Sequence, residues 1–157
     1  MNTNEAKQLI TSILTTLGYN TPAFLNLLLG TMAQESAMGL YETQVGGGPA
    51  KGIFQMENAT FQDLNTNFLS YHQALKASVQ SYAPNTPVGT ADDLINNHEY
   101  ACAYAACSFI RHHVPHSDVN QNDVITMFTL YKTFFNGPGA ATQTEFANNW
   151  KRFGISS

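Results

Sequence analysis

Charge is scarce in this chain. Of its 157 residues only 11% are Asp, Glu, Lys or Arg, and the formal net charge is −4. A protein so poor in basic residues is not a general binder of polyanions, so we expect no nucleic-acid partner. Asn, Gln, Ser and Thr supply much of the polar surface instead. The length fits a single domain over residues 1–157, large enough to bury a core that needs no disulfide or metal.

Cysteine is nearly absent as well, since the sequence contains only Cys102 and Cys107. On one helix, a separation of five residues corresponds to about 140° of rotation, so the two thiols cannot form an unstrained disulfide with each other. We expect both to be buried as small hydrophobic side chains. Reduced thiols also fit synthesis in the cytoplasm.

Long hydrophobic runs are missing too. No segment reaches the ~18 consecutive apolar residues of a membrane-spanning helix. The amino terminus, MNTNEAKQLI, has neither the basic start nor the apolar run of a secretory signal. We therefore expect no stable membrane insertion, and synthesis in the cytoplasm without a signal peptide.

The sequence does contain a succession of helical patterns, and it has no strand pattern of useful length. Thr21 and Pro22 have the residue types of an N-cap and a first helical position, and Thr142 with Glu145 matches a capping box. The predicted fold class is therefore mainly α. The predicted helices cover about residues 4–17, 22–38, 58–68, 71–82, 91–114, 121–135 and 142–153. We place the alanine-rich helix 91–114 at the centre of the core.

Glu35 is the most informative residue, because it is a carboxylate on the apolar face of the helix predicted over residues 22–38. On a helical projection its neighbours are Phe24, Leu27, Leu28, Thr31 and Met38, whereas Asn26, Gly30, Ala33 and Ala37 lie opposite. Burial and the negative end of the helix dipole both raise the pKa of a carboxyl group. A Glu that keeps its proton near neutral pH can protonate a leaving oxygen. A structural carboxylate that points outward or pairs with a base is the alternative.

Two short motifs lie at residues 35–36 and 52–55. Residues 35–36 are Glu-Ser, and after the glycine-rich run VGGGPAKG residues 52–55 are Gly-Ile-Phe-Gln. The glycines end the helix, so the chain turns back and brings Gln55 near Glu35. Both motifs resemble those of the lysozyme-like superfamily of peptidoglycan-cleaving enzymes, particularly soluble-type lytic transglycosylases and goose-type lysozymes. Those enzymes have Glu-Ser at a helix end, followed by Gly-Leu-Met-Gln.

Two later segments extend the resemblance. Residues 134–140, FFNGPGA, are similar to the family's Tyr-Asn-Ala-Gly-Pro-Gly-Ala stretch, with Phe for Tyr and one residue missing between Asn136 and Gly137. Asn97 and Tyr104 reproduce an Asn-to-Tyr spacing of seven that the family shows in the preceding helix. The four motifs occur in the family's order between residues 35 and 140.

The resemblance implies a lysozyme-like helical domain with a glycan-binding groove and at most a minimal β element. It also implies cleavage of the β-1,4 bond between N-acetylmuramic acid and N-acetylglucosamine in peptidoglycan glycan strands, with Glu35 as the acid and no cofactor. Reaching the cell wall without a signal would require a bacteriophage holin or particle, so other phage lysis or virion proteins are expected partners. The expected substrate-binding residues are Ser36, Phe54, Gln55, Tyr104 and Asn136.

Glu57 leaves two chemical outcomes open, because goose-type lysozymes have an acid at this spacing and lytic transglycosylases usually have an apolar residue. Inverting hydrolysis needs a second carboxylate ~6.5–9.5 Å from the acid, and double displacement needs one at ~5–5.5 Å. A lytic transglycosylase needs neither, because the substrate's own N-acetyl group and 6-hydroxyl close an anhydro ring. We favour this outcome, with a hydrolytic muramidase that uses Glu57 as the alternative. A solvated carboxylate before Asn58 is the structural interpretation.

Aromatic side chains along the groove would offer faces to sugar rings, although most aromatic residues of a helical domain belong to its core. The candidates are Phe54, Tyr82, Tyr104, Tyr131 and Phe135. A domain that binds glycan or a partner protein without catalysis is a further alternative. The carboxylate of Glu35 on an apolar face argues against it, since a pure binder has no need of one.

A histidine cluster, His112, His113 and His116, raises a zinc hypothesis because zinc amidases and peptidases also attack peptidoglycan. Zinc requires three or four ligands on a rigid frame, and Pro115 interrupts the turn that would align two of these residues. The sequence also lacks an HExxH motif. We therefore expect no metal site.

Overall fold

The structure is a computed structural model that describes residues 1–43, 47–114 and 122–155. The fold is mainly α-helical, as predicted. Within the described residues, β structure is limited to isolated bridges that pair Thr43 with Lys51 and Lys51 with Met56. The α-helices are α1 (Thr3–Leu17), α2 (Pro22–Ser36), α3 (Asn58–Asn67), α4 (Gln73–Gln80), α5 (His98–Ile110), α6 (Val124–Tyr131) and α7 (Gln143–Arg152).

Polar side chains begin these helices where the sequence predicted. The Thr21 hydroxyl accepts a hydrogen bond from the Phe24 amide at 3.2 Å, and Pro22 occupies the first helical position of α2. Thr142 caps α7 in the same way by accepting from the Glu145 amide at 3.2 Å. These caps satisfy backbone amides that have no partner inside the helix, which explains why the amino-terminal boundaries are readable from sequence.

Helix α2 is buried on nearly all sides, including the side opposite Glu35. Asn26 and Ala33, which lie opposite Glu35 on the helical projection, are only 6% and 2% exposed. The reason is that α2 packs against α1, α6 and α7 at once. Gly30 permits the approach of α7, because a Cβ atom there would lie 2.6 Å from the Phe146 ring. A helix that is covered on all sides lies at the centre of the core, and both α2 and α5 have this position.

The single helix predicted over residues 91–114 is wrong. The segment forms a 3₁₀ helix over Ala91–Leu94 and then α5, with an interruption at Asn96, whose φ is +57°. Asn97 starts α5 by accepting a hydrogen bond from the Tyr100 amide at 3.1 Å. An Asn in the left-handed region followed by an Asn at an N-cap explains the break. The expected central position holds for α5, since residues 100–110 are all buried.

Two further predicted helices are shorter than expected. The segment 71–82 contains α4, which a 3₁₀ turn over Leu69–Tyr71 precedes. The segment 121–135 contains α6 and then a π-helical turn over Lys132–Asn136, in which the Gly137 amide donates to the Lys132 carbonyl at 2.8 Å. Gln121 itself lies outside the described residues. Such π turns are rare and occur frequently at functional sites.

Both cysteines are free and buried in α5, and burial raises the pKa of each thiol. This confirms the prediction that they act as small core residues. None of the helices in the described ranges combines the length and apolar content that crossing a bilayer requires.

Candidate active site

A solvent-open cleft of about 690 Å³ lies beside the carboxyl end of α2. Its walls come from the loop before α3, the start of α3, one residue of α5 and the turn that follows α6. The lining residues are Glu35, Tyr41, Ala50, Gln55, Met56, Glu57, Thr60, Ser108, Phe134, Phe135, Asn136, Gly137, Pro138 and Gly139. Four of the seven residues predicted for the site therefore meet in one cleft, namely Glu35, Gln55, Glu57 and Asn136.

Glu35 lies in the last turn of α2 and is half-buried. Burial raises the pKa of its carboxyl group from the ordinary 4.5 to about 7, against the lowering effect of a hydrogen bond from Tyr131. Near neutral pH a large share of the molecules therefore carries a proton at Glu35 while the group still faces the cleft. This protonation state is the one that a general acid requires.

Tyr131 holds the Glu35 carboxyl group. Its hydroxyl donates a hydrogen bond to Glu35 Oε2 across 96 residues of sequence. The ring is fully buried and stacks with Phe135 and Phe146, with centroid distances of 6.1 and 5.2 Å. The sequence placed Tyr131 among rings that could face a sugar, and its burial excludes that role. Only the hydroxyl of Tyr131 contacts the site, and no local sequence motif predicted its hydrogen bond to Glu35.

Ser36 is not available to substrate, which corrects its predicted role. Its side chain is 0% exposed. Its Oγ lies 2.5 Å from the Ile53 carbonyl oxygen and 3.2 Å from that of Met32, and it accepts a hydrogen bond from the Gly39 amide at 2.9 Å. The hydroxyl thus fastens the end of α2 to the Gly52–Gln55 turn, and it acts on the site by positioning backbone.

Gln55 reaches the cleft from a strained position. Its φ is +50°, which is uncommon for a residue other than glycine. Its Nε2 donates to the carbonyls of Tyr41 at 3.1 Å and Gly52 at 2.9 Å. Because the amide nitrogen is committed to these two carbonyls, Oε1 is the atom of the side chain suited to accept an N–H from a ligand.

Phe54 and Tyr104 do not line the cleft, so neither can bind a sugar face as predicted. Phe54 is 1% exposed and Tyr104 is 0% exposed. The Tyr104 hydroxyl donates to Asn65 Oδ1 at 2.6 Å, and its ring packs on Phe61 at a centroid distance of 4.5 Å. The tight turn directs Phe54 into the core, and α5 is buried all round, so both rings are packing residues.

Glu57 is the N-cap residue of α3, and its side chain makes no hydrogen bond to that helix. It is exposed and lines the same cleft as Glu35. Its carboxylate is therefore free to face the cleft, and its exposure also agrees with the structural interpretation of a solvated carboxylate before Asn58. Tyr41 also lines the cleft and keeps 48% of its surface exposed, and no sequence motif predicted its place there.

Two of the three histidines of the zinc hypothesis, His112 and His113, lie within the described residues. His112 stacks on Phe134 at a centroid distance of 4.8 Å, and His113 has a φ of +60°. Pro115 and His116 lie outside the described residues. Across residues 1–43, 47–114 and 122–155, no three His, Cys, Asp or Glu side chains come together in a way that could hold a metal ion.

No protein-family profile, curated protein or solved structure shows a significant match to this chain. The geometry of the cleft and the chemistry of its residues therefore carry the functional argument.

We expect Ser36→Ala to lower the free energy of unfolding by about 1–3 kcal/mol, because the buried Ile53 carbonyl loses its donor. Urea denaturation measures the effect. Thr31→Val is the matched control, since the buried Thr31 hydroxyl donates within α2, to the Leu27 carbonyl at 2.8 Å. A Ser36→Ala loss no larger than that of the control would show that Ser36 does not fasten the turn.

Proposed function

We propose that this protein cleaves the β-1,4 glycosidic bond between N-acetylmuramic acid and N-acetylglucosamine in peptidoglycan, in the manner of a lytic transglycosylase. The observation that carries the proposal is Glu35, a half-buried carboxyl group whose pKa burial raises to about 7 and which lines an open cleft. Burial disfavours the ionised form of this carboxyl group, although the group still faces solvent in the cleft. A structural carboxylate needs no such environment, whereas a general acid does.

In the proposed reaction Glu35 first donates its proton to the glycosidic oxygen as the bond to the muramic acid C1 breaks. The carboxylate that remains then accepts the proton of the muramic acid 6-hydroxyl, whose oxygen attacks C1. The products are a free 4-hydroxyl on the departing sugar and a 1,6-anhydro ring, and Glu35 regains its proton. One carboxyl group serves both steps, which suits a site where Tyr131 holds a single Oε2 atom.

The cleft also suits a ligand that continues beyond it. Its volume of about 690 Å³ lies within the ~300–1,000 Å³ typical of small-molecule sites, and it opens to solvent, so a longer polymer need not be enclosed. Gln55 and Asn136 supply amide groups on its walls, and Tyr41 supplies an exposed aromatic ring. These are the groups that bind N-acetyl and pyranose moieties. Glycan strands are therefore the proposed partner, reached after release from a phage-infected cell or from a phage particle.

Glu57 supports hydrolysis as a second candidate function. Its carboxylate lines the cleft and makes no hydrogen bond to α3. A carboxylate in this situation can accept a proton from water, and the attack of that water would yield a reducing end in place of the anhydro ring.

Mass spectrometry of muropeptides released from purified sacculi tests the proposal. We expect anhydro-muramyl ends with the native protein and no release with Glu35→Gln. Reducing ends in their place would establish the hydrolase. Failure of the native protein to release any muropeptide, with binding to sacculi intact, would overturn the proposal in favour of a glycan-binding domain.

Substitution of Glu57 separates the two chemistries. If Glu57 activates water, Glu57→Gln lowers the yield of reducing ends more than tenfold and leaves anhydro ends comparatively unchanged. For the favoured transglycosylase we expect both rate and product ratio to stay within about a factor of two. The matched control is Glu99→Gln, which alters an exposed carboxylate in the first turn of α5 and outside the cleft. Product ratio and rate on sacculi are the measurements.

A further inference from the structure

Glu42 attaches the loop between α2 and α3 to the start of α5. Its Oε1 accepts a hydrogen bond from the Asn96 backbone amide at 3.0 Å, and the same oxygen lies 3.4 Å from His98 Nε2. Glu42 and Asn96 are 54 positions apart in sequence. The contact is therefore a tertiary one, which ties the loop to a distant part of the chain.

The break before α5 supplies the donor of this contact. Asn96 lies between the 3₁₀ helix and α5, with a φ of +57°, and its N–H meets the Glu42 carboxylate. A hydrogen bond from a backbone amide to an ionised carboxylate is charge-assisted, and it is stronger than a bond between neutral groups. The irregular segment thus presents a strong donor to the loop.

The loop that Glu42 attaches carries two residues of the cleft, Tyr41 and Gln55. The Glu42 carbonyl accepts from the Gly52 amide at 2.7 Å. Gln55 Nε2 donates to the carbonyls of Gly52 and Tyr41 at 2.9 and 3.1 Å. These hydrogen bonds join Tyr41, Glu42, Gly52 and Gln55 into one group, which we call the loop unit. A displacement of Glu42 would therefore displace both cleft residues.

The loop unit rests directly on the segment that ends in Asn96. A Cβ atom at Gly52 would lie 3.0 Å from the Leu94 carbonyl oxygen, so the two backbones are in close contact. A second link joins Lys51 to Asp92 at 4.0 Å, but 62% of the Asp92 side chain is exposed. Exposed ion pairs of this kind contribute little. The hydrogen bond of Glu42 is the stronger link between the loop unit and this segment.

We propose that Glu42 is a positioning residue for the cleft, which binds the Asn96 amide and so holds Tyr41 and Gln55 where they contact a glycan. Its effect is on affinity, and the chemical step stays with Glu35, whose pKa is set by burial and by Tyr131. The binding of glycan by Tyr41 and Gln55 rests on the proposed function. The attachment of the loop unit does not.

Amide hydrogen exchange at Gly52 measures the attachment without any ligand. This buried amide donates to the Glu42 carbonyl, so it exchanges when the loop unit opens. Glu42→Met keeps the length of the side chain and removes the acceptor, and we expect exchange at Gly52 to become about tenfold faster. The Gly39 amide, which donates to Ser36 Oγ at 2.9 Å, should keep its native rate.

Glu42→Gln is the conservative variant, because its amide oxygen can still accept the Asn96 N–H. We expect it to return the exchange rate at Gly52 to within about a factor of three of the native rate. If Glu42→Met does not fold, Glu42→Ala makes the same test with a smaller side chain. An exchange rate at Gly52 that neither variant changes would overturn the attachment.

Calorimetry with peptide-free glycan strands measures the effect on affinity. In a Glu35→Gln background, which prevents cleavage, we expect Glu42→Met to raise the Kd about tenfold. With Glu35 intact, KM should rise by the same factor while kcat stays within about a factor of two. A loss of folded protein would instead lower the apparent kcat and leave KM unchanged. Faster exchange at Gly52 with an unchanged Kd would overturn the positioning role.

Glu99→Met is the matched control, because it removes an exposed carboxylate from the first turn of α5 and outside the cleft. Exchange at Gly52, the Kd and KM should all keep their native values in this variant. A tenfold rise of the Kd in Glu99→Met as well would show that charge near the start of α5, and not the attachment by Glu42, sets the affinity.

Cleavage assays distinguish this proposal from the proposed function. A native protein that binds glycan strands without cleaving them, and binds them more weakly as Glu42→Met, would keep the positioning role and exclude the glycosidase. A protein that cleaves sacculi with the native KM as Glu42→Met would exclude the positioning role and keep the glycosidase. A native protein that neither binds nor cleaves glycan would exclude both.

Discussion

Replacement of Glu35 by glutamine is expected to abolish cleavage of peptidoglycan while the fold is retained. Glutamine has nearly the size of glutamic acid, and its amide oxygen can still accept the Tyr131 hydroxyl. It has no proton to donate to a leaving oxygen. General acid catalysis contributes roughly 10²–10⁴-fold, so we expect a loss of at least that order in the initial rate of release of soluble muropeptides from sacculi.

Glu5→Gln is the control for this substitution, because Glu5 is an exposed carboxylate in the first turn of α1 and outside the cleft. It should keep the native rate. Circular dichroism and thermal unfolding establish that both variants fold. A Glu35→Gln protein with more than a tenth of the native rate would remove Glu35 from the role of acid.

The second large effect concerns stability as a function of pH. The pKa of Glu35 is raised from 4.5 to about 7 in the folded protein, with burial as the main cause and the Tyr131 hydrogen bond in opposition. Between these two values the unfolded chain is ionised at Glu35 and the folded protein keeps the proton. Unfolding then releases a proton, so the free energy of unfolding falls as the pH rises through this interval. The total loss from this group is about 3 kcal/mol, and it is complete above the folded pKa.

Comparison with Glu35→Gln isolates this contribution from that of the other carboxyl groups. The two proteins should have similar free energies of unfolding near pH 4, and the variant should become the more stable one by about 3 kcal/mol near pH 8. Urea denaturation at several pH values measures the difference. Parallel curves from pH 4 to pH 8 would mean that the Glu35 carboxyl group is solvated in the folded protein.

The helices could be predicted from sequence wherever a local signal marks their ends. Thr21, Pro22 and Thr142 act within a few residues of themselves, and the structure has α2 and α7 beginning there. The break between residues 94 and 98 was not predicted, because the alanine-rich sequence that follows it has a strong helical pattern. Asn96 and Asn97 carried the signal for it, one by adopting a positive φ and the other by capping α5.

The candidate site was predictable only in part, for a different physical reason. A motif in a loop identifies residues that meet, but it does not say which side chains face outward. Ser36 and Phe54 are therefore at the site by backbone position while their side chains are buried. Tyr104 was placed by spacing on a helix that is buried all round. Tyr131 was missed as the partner of Glu35, because that contact depends on how α6 packs against α2.

The long separation between Glu35 and Tyr131 has a consequence for the chain during its synthesis. The two residues are 96 positions apart. At typical translation rates, roughly 5–20 s pass between their appearances at the ribosome. Until the chain is long enough to bury Glu35, we expect this group to be hydrated and to ionise as an ordinary carboxyl group, because burial is what raises its pKa in the folded protein. At neutral pH most nascent chains therefore lack the protonated acid, which forms once α6 and α7 have packed against α2.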